Sequence, residues 1–191
     1  LKETVKLGVI LFLITAIAAG ILAFANANTE GKIAELEAQA SNEARKSVLS
    51  EAETFEAVDQ AKLDEIMKKN PEILEIYEAL DGSKSTVGYV VKTSTGGYAG
   101  PIEVVTGVST DGSITGMKVV KNTETPGLGT LAAEAPFQDQ FAGKSIETEL
   151  EVVKSGAGDS QIQALTGATI TSKAVTKGVN LAVEASKLMN E

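Results

Sequence analysis

The sequence predicts an α+β protein: a single apolar helix at the N-terminus, then a domain in which helices flank an antiparallel sheet. Three observations carry this prediction. Residues 7–29, "LGVILFLITAIAAGILAFANANT", contain no charged side chain. Between Val87 and Asn122, runs rich in Val and Ile stand on either side of an Asp111-Gly112 turn signal. From Thr171 or Ser172 onward, Val175, Val179, Ala182 and Val183 are spaced for one buried helical face.

The apolar run of 23 residues is long enough, at about 35 Å as a helix, to cross a bilayer core that needs about 20 apolar residues. Lys2 and Lys6 precede it, and Glu30, Lys32, Glu35 and Glu37 follow. The positive-inside bias then puts the N-terminus in the cytoplasm and everything after Thr29 outside it. "AFANA" resembles a signal-peptide cleavage site, but the apolar run exceeds the usual signal length. The expectation is a retained single-pass anchor over residues 1–29.

Residues 30–86 read as a helical linker and the helical part of the soluble domain. Ile33, Leu36 and Ala40 recur at helical spacing between Glu30 and Leu49, so this helix can continue the anchor into solvent. Ala61 to Lys69 is a second helix, ended by Asn70-Pro71. Residues 87–191 form the α+β core. "VGYVVKT", "IEVVTGVS" and "SITGMKVVKN" are strands, the last two joined as a hairpin, and "SIETELEVVKS" is a later strand.

Composition narrows the chemistry. With 43% hydrophobic but only 4% aromatic residues, the core must be built from Val, Ile, Leu and Ala. The net charge of -9 disfavours nucleic acid as a partner, since phosphate neutralisation needs a basic patch. The chain has no Cys and no His. This removes thiolate and histidine nucleophiles, cysteine-ligated clusters and histidine-based triads, and leaves a metal site improbable in residue type. Its acidic residues show no calcium-loop spacing. Redox chemistry in such a chain must reside in an organic cofactor.

Two motifs stand out. In "TETPGLGT" (Thr123 to Thr130), Pro126 and Gly127 specify a type II turn. Leu128 then either tucks into the core or lies against a flat ligand that the backbone approaches. In "LTGATITSKAV" (Leu165 to Val175), Thr171 or Ser172 can cap the helix that starts there. Alternatively, the same helix start offers free N–H groups to an anion, with Gly167 and Ala168 giving access to the Thr169 hydroxyl.

Together, "GYAGPIEV" (Gly97–Val104), "TETPGLGT" and "TGATITS" (Thr166–Ser172), in that order behind an N-terminal anchor, resemble the FMN-binding domain shared by the Rnf complex, in its G subunit, and the sodium-pumping NADH:quinone reductase, in its C subunit. "ARKSVLSEAETFE" (Ala44–Glu56) extends the resemblance, which covers nearly the whole chain. It implies FMN esterified through its phosphate to Thr169 by a separate flavin transferase that uses FAD as donor. Thr166, Gly167, Ala168 and Thr171 would surround the attachment point. Glu124, Thr125, Pro126, Gly127, Leu128 and Gly129 would line the flavin pocket. It further implies an electron-transfer subunit, not catalytic alone, within a membrane complex that couples redox chemistry to ion translocation. The compact length favours the Rnf member. The quinone-reductase member is the close alternative, and a cofactor-free membrane-anchored scaffold is the reading of another class. Two positions depart from the family pattern: Gln163 replaces an acid three residues before Thr166, and Asn122 replaces a His that often precedes the turn.

Overall fold

The computed structural model describes residues 2–190, which fall into two compact units divided between Gln39 and Ala40. Helix α1 runs from Lys2 to Val48 and belongs to both. Its apolar stretch is long and apolar enough to cross a membrane, with a mean hydropathy of 2.7 over its best window. The large apolar side chains from Val5 to Phe24 are exposed along it, as a lipid-facing helix requires.

The second unit is built on a five-stranded antiparallel sheet in simple order β1-β2-β3-β4-β5. These strands are Thr54–Ala57, Ile73–Leu80, Thr86–Gly96, Pro101–Ser109 and Ile114–Lys121. The hairpin expected around Asp111-Gly112 is β4–β5. Gly112 takes φ 91°, and Ser109 N donates to Ser113 O at 2.9 Å to close the turn. Helix α2 (Gln60–Lys69) starts where Asp59 accepts from the amides of Ala61 and Lys62, and ends at Asn70. A 3-10 turn (Gly129–Ala133), the short α3 (Ala135–Gln138), a parallel strand pair β6 (Glu151–Val153) and β7 (Gln161–Gln163), and the long α4 (Thr169–Met189) complete the unit.

Two sequence expectations need correction. Residues 30–86 are not helical throughout, because β1 and β2 lie within them. In β2 the pairing register shifts between Ile73 and Glu75 and again between Ala79 and Leu80. Buried Ile73, Ile76, Ala79 and Leu80 therefore recur every three or so residues, a helix-like period written on a bulged strand. The second correction concerns "SIETELEVVKS": only Glu151–Val153 is strand, and it pairs with β7 rather than with the main sheet.

Helices cover both faces of the sheet. On one face lies the end of α1 and the residue after it, where Ala44, Val48 and Leu49 pack with Ala79, Val90 and Val105. Arg45 stacks 3.9 Å over the Tyr77 ring, and Thr115 Oγ1 donates to Val48 O. On the other face lie α2 and α4. Val175, Val179 and Ala182 of α4 are fully buried, and each valine contributes about 1.5–3 kcal/mol relative to exposure. The approach is close: a Cβ on Gly178 would stand 2.8 Å from Thr93 Oγ1. Thr95 Oγ1 donates to Ala174 O at 2.9 Å and so ties the first turns of α4 to β3. With the buried valines, that tie fixes the N-terminus of α4 beside β3.

Candidate functional site

The site forms where the turn after β5 meets the start of α4. Pro126 and Gly127 make the expected type II turn, with Gly127 at φ 75° and Leu128 N donating to Thr125 O at 3.1 Å. Thr130 Oγ1 accepts from Gly127 N at 3.0 Å and braces the turn. Leu128 does not tuck into the core. It stays 44% exposed, and a Cβ on Gly167 would lie 3.2 Å from its Cδ2, so the two motifs meet there.

Beneath the turn, Glu124 is only 5% exposed. Its Oε1 accepts from the amides of Tyr98 (2.8 Å) and Ala99 (3.0 Å), and its Oε2 accepts from Thr171 Oγ1 (2.7 Å). One carboxylate thus joins three segments: the loop between β3 and β4, the turn after β5, and the first turn of α4. Asn122, at the family's frequent His position, accepts from Glu124 N at 3.2 Å.

The N-cap of α4 is Ala168, three or four residues earlier than the expected cap at Thr171 or Ser172, and neither of these caps it. Thr171 is drawn to Glu124. Ser172 Oγ donates to Ala168 O and accepts from Leu165 N, both at 2.9 Å, closing the loop that carries Gly167 at φ 77°. Ala168 stands at the N-cap, where no side chain caps the helix. The first helical bond runs from Ser172 N to Ala168 O at 3.0 Å. The amides of Thr169, Ile170 and Thr171 precede it and belong to the uncapped positive end of the helix.

These elements enclose a cleft of about 500 Å³. Glu124, Thr125, Leu128, Gly129, Gly167, Ala168, Thr169 and Thr171 line it. The remaining expected residues do not: Pro126 and Gly127 form the back of the turn, and Thr166 is exposed outside the cleft. Tyr98 and Ile170 line it as well. The residue-level prediction missed both, although each sits in a recognised motif as an apolar side chain among turn residues. With Leu128 they are the exposed large apolar residues outside α1, at 70% for Tyr98 and 55% for Ile170 among the described residues. Gln163 lies apart from the cleft, its backbone clasped by the amide of Gln140.

A family profile described as an FMN-binding domain matches residues 97–184, which run from the loop under Tyr98 through most of α4. The chain is also 48% identical, over 96% of its length and 91% of the relative's, to the G subunit of the Na(+)-translocating ferredoxin:NAD(+) oxidoreductase complex of Acetobacterium woodii. The chain belongs to the FMN-binding domain family. A further relative of this FMN-binding domain is the G subunit of the ion-translocating oxidoreductase complex of Methanosarcina acetivorans, 38% identical over 96% of this chain and 94% of that one. A third is the G subunit of the proton-translocating ferredoxin:NAD(+) oxidoreductase complex of Clostridium ljungdahlii, 39% identical over 79% of this chain and 74% of that one. In fold, the FMN-binding domain is similar to the crystal structure of Shewanella oneidensis NqrC, with a TM-score of 0.54 at 22% identity over 61% of each chain.

Proposed function

We propose that this FMN-binding domain is the G subunit of a membrane-bound, ion-translocating ferredoxin:NAD oxidoreductase complex, passing electrons through FMN esterified to Thr169. The observation that carries this reading is the uncapped start of α4 opening into an apolar-rimmed cleft, with Thr169 at its first position. The residues fit the group. The amides of Thr169, Ile170 and Thr171 suit a phosphodiester at a helix N-terminus, and Gly167 and Ala168 leave it room. Leu128, Tyr98 and Ile170 offer apolar surface to a flat ring and keep water from it. Bound FMN supplies electron-carrying chemistry, which a chain without Cys or His lacks.

Attachment falls to a separate flavin transferase. The Thr169 hydroxyl oxygen bonds to the FMN phosphorus of FAD, the FAD pyrophosphate bond breaks, and AMP leaves as the hydroxyl proton is lost. No histidine is present to assist, and Glu124 is engaged with Thr171 rather than Thr169. In this reading residues 7–29 of α1 cross the cytoplasmic membrane with the N-terminus inside, and the second unit works outside among the other subunits. A covalent link there prevents loss of the cofactor by dilution.

The test is intact mass of the full chain produced with its transferase. The mass should exceed the sequence mass by one FMN residue. Thr169→Ala should lose this increment and the yellow colour, and Thr169→Ser should keep both. A colourless wild-type protein would sink the proposal. The subunits that co-purify decide between this complex and a quinone reductase.

A further inference from the structure

We propose that Glu124 sets the reduction potential of the flavin, acting as a fixed negative charge built into the floor of the cleft. This rests on FMN occupying that cleft.

Burying a carboxylate is unfavourable unless donors surround it, and here they do. Glu124 accepts three hydrogen bonds, from Tyr98 N, Ala99 N and Thr171 Oγ1. All three partners are placed to donate to it, an arrangement that suits an acceptor-only carboxylate. The first turn of α4 adds its positive end. Among the described residues no lysine or arginine forms a salt bridge with it. The surrounding backbone is shaped to its oxygens. A Cβ on Gly97 would overlap Oε1, and a Cβ on Gly129 would overlap Oε2.

A loop clip alone does not call for a charge, because a neutral amide oxygen also accepts from two backbone amides, though less strongly. What the carboxylate adds is a negative charge on the cleft wall, sheltered from bulk water and therefore less screened than a surface charge. Adding electrons to a ring beside it is opposed, so the potential becomes more negative. Glu124 is therefore a positioning residue for the loop under Tyr98 and an electrostatic determinant of the driving force.

The experiment uses the full chain loaded by its transferase, with loading confirmed by mass. Wild type, Glu124→Gln and Glu124→Asp are compared by spectroelectrochemical titration. Amide exchange of Tyr98 and Ala99 is followed in the unloaded proteins. Glu124→Gln keeps an acceptor for both amides and deletes the charge; its midpoint should rise. Glu124→Asp keeps the charge on a shorter arm; its midpoint should stay near wild type even where the two amides exchange faster. Equal shifts in both variants, or no shift in Glu124→Gln, overturn the proposal. So does a folded Glu124→Gln protein that takes up no FMN, since the side chain then supplies more than a charge. Absence of FMN from the wild type counts instead against the attachment reading.

Discussion

Gly129→Ala tests the junction on which the cleft depends. The added Cβ would overlap Glu124 Oε2 and stand 2.7 Å from Glu124 Cβ and 2.8 Å from Thr171 Oγ1. Rotating the carboxylate alone does not clear it, because Glu124 Cβ is held by its own backbone. Gly129 has no positive φ, so contact alone produces the effect. Glu124 has to withdraw from Thr171, losing a hydrogen bond to a charged group that contributes about 1.5–3 kcal/mol. The Tyr98 and Ala99 amides lose their fit at about 1 kcal/mol or more. Replacing glycine restricts the unfolded chain and returns up to about 1 kcal/mol. The net loss is roughly 2–4 kcal/mol, which for a unit of this size lowers the melting temperature by roughly 5–15 °C. Thermal melts of the full chain in detergent read this directly, and amide exchange at Tyr98 and Ala99 locates it. A drop below about 2 °C, with both amides as protected as in wild type, would refute the idea that Glu124 joins the three segments.

Two further outcomes follow from the same geometry. Ser172→Ala strips Leu165 N of its acceptor and frees the loop before α4. It should cost about 1–3 kcal/mol and slow FMN attachment, and an unchanged melt with wild-type loading would show that the loop stands without it. Leu128→Asp places a polar, acidic side chain on the apolar rim and should shift the flavin midpoint by hydrating the ring; an unchanged midpoint in the loaded variant removes Leu128 from the redox environment.

Local signals in the sequence were legible where the structure uses them locally. Asp111-Gly112 and Pro126-Gly127 predict their turns because each turn is closed by its own neighbours. The start of α4 was misplaced because its candidate caps are engaged elsewhere, Ser172 within the preceding loop and Thr171 with a distant partner. Thr171 bonds a carboxylate 47 positions earlier in the chain, which no capping pattern can express. Tyr98 was overlooked for the same reason, since its loop is anchored by Glu124 from 26 residues away. The direction of Leu128 stayed open in the sequence because it depends on Gly167 facing it. Strand β2 was hidden by two register shifts that disguise its period. The order of the three motifs was visible throughout; their convergence on one carboxylate was not.

The division of the cleft between the turn after β5 and the start of α4 has a consequence in time. Helix α4 follows every strand of the sheet in the chain, and Thr95 waits for Ala174, 79 residues on, before the two are tied. During synthesis the turn carrying Leu128 exists before the segment that will stand opposite it, and Glu124 has no Thr171 to meet. Under the attachment proposed above, a transferase that reads the shape around Thr169 would meet its substrate only after α4 has docked on the sheet. On that proposal, attachment would double as a checkpoint on folding, since only a finished domain presents the Thr169 hydroxyl at the start of a docked helix.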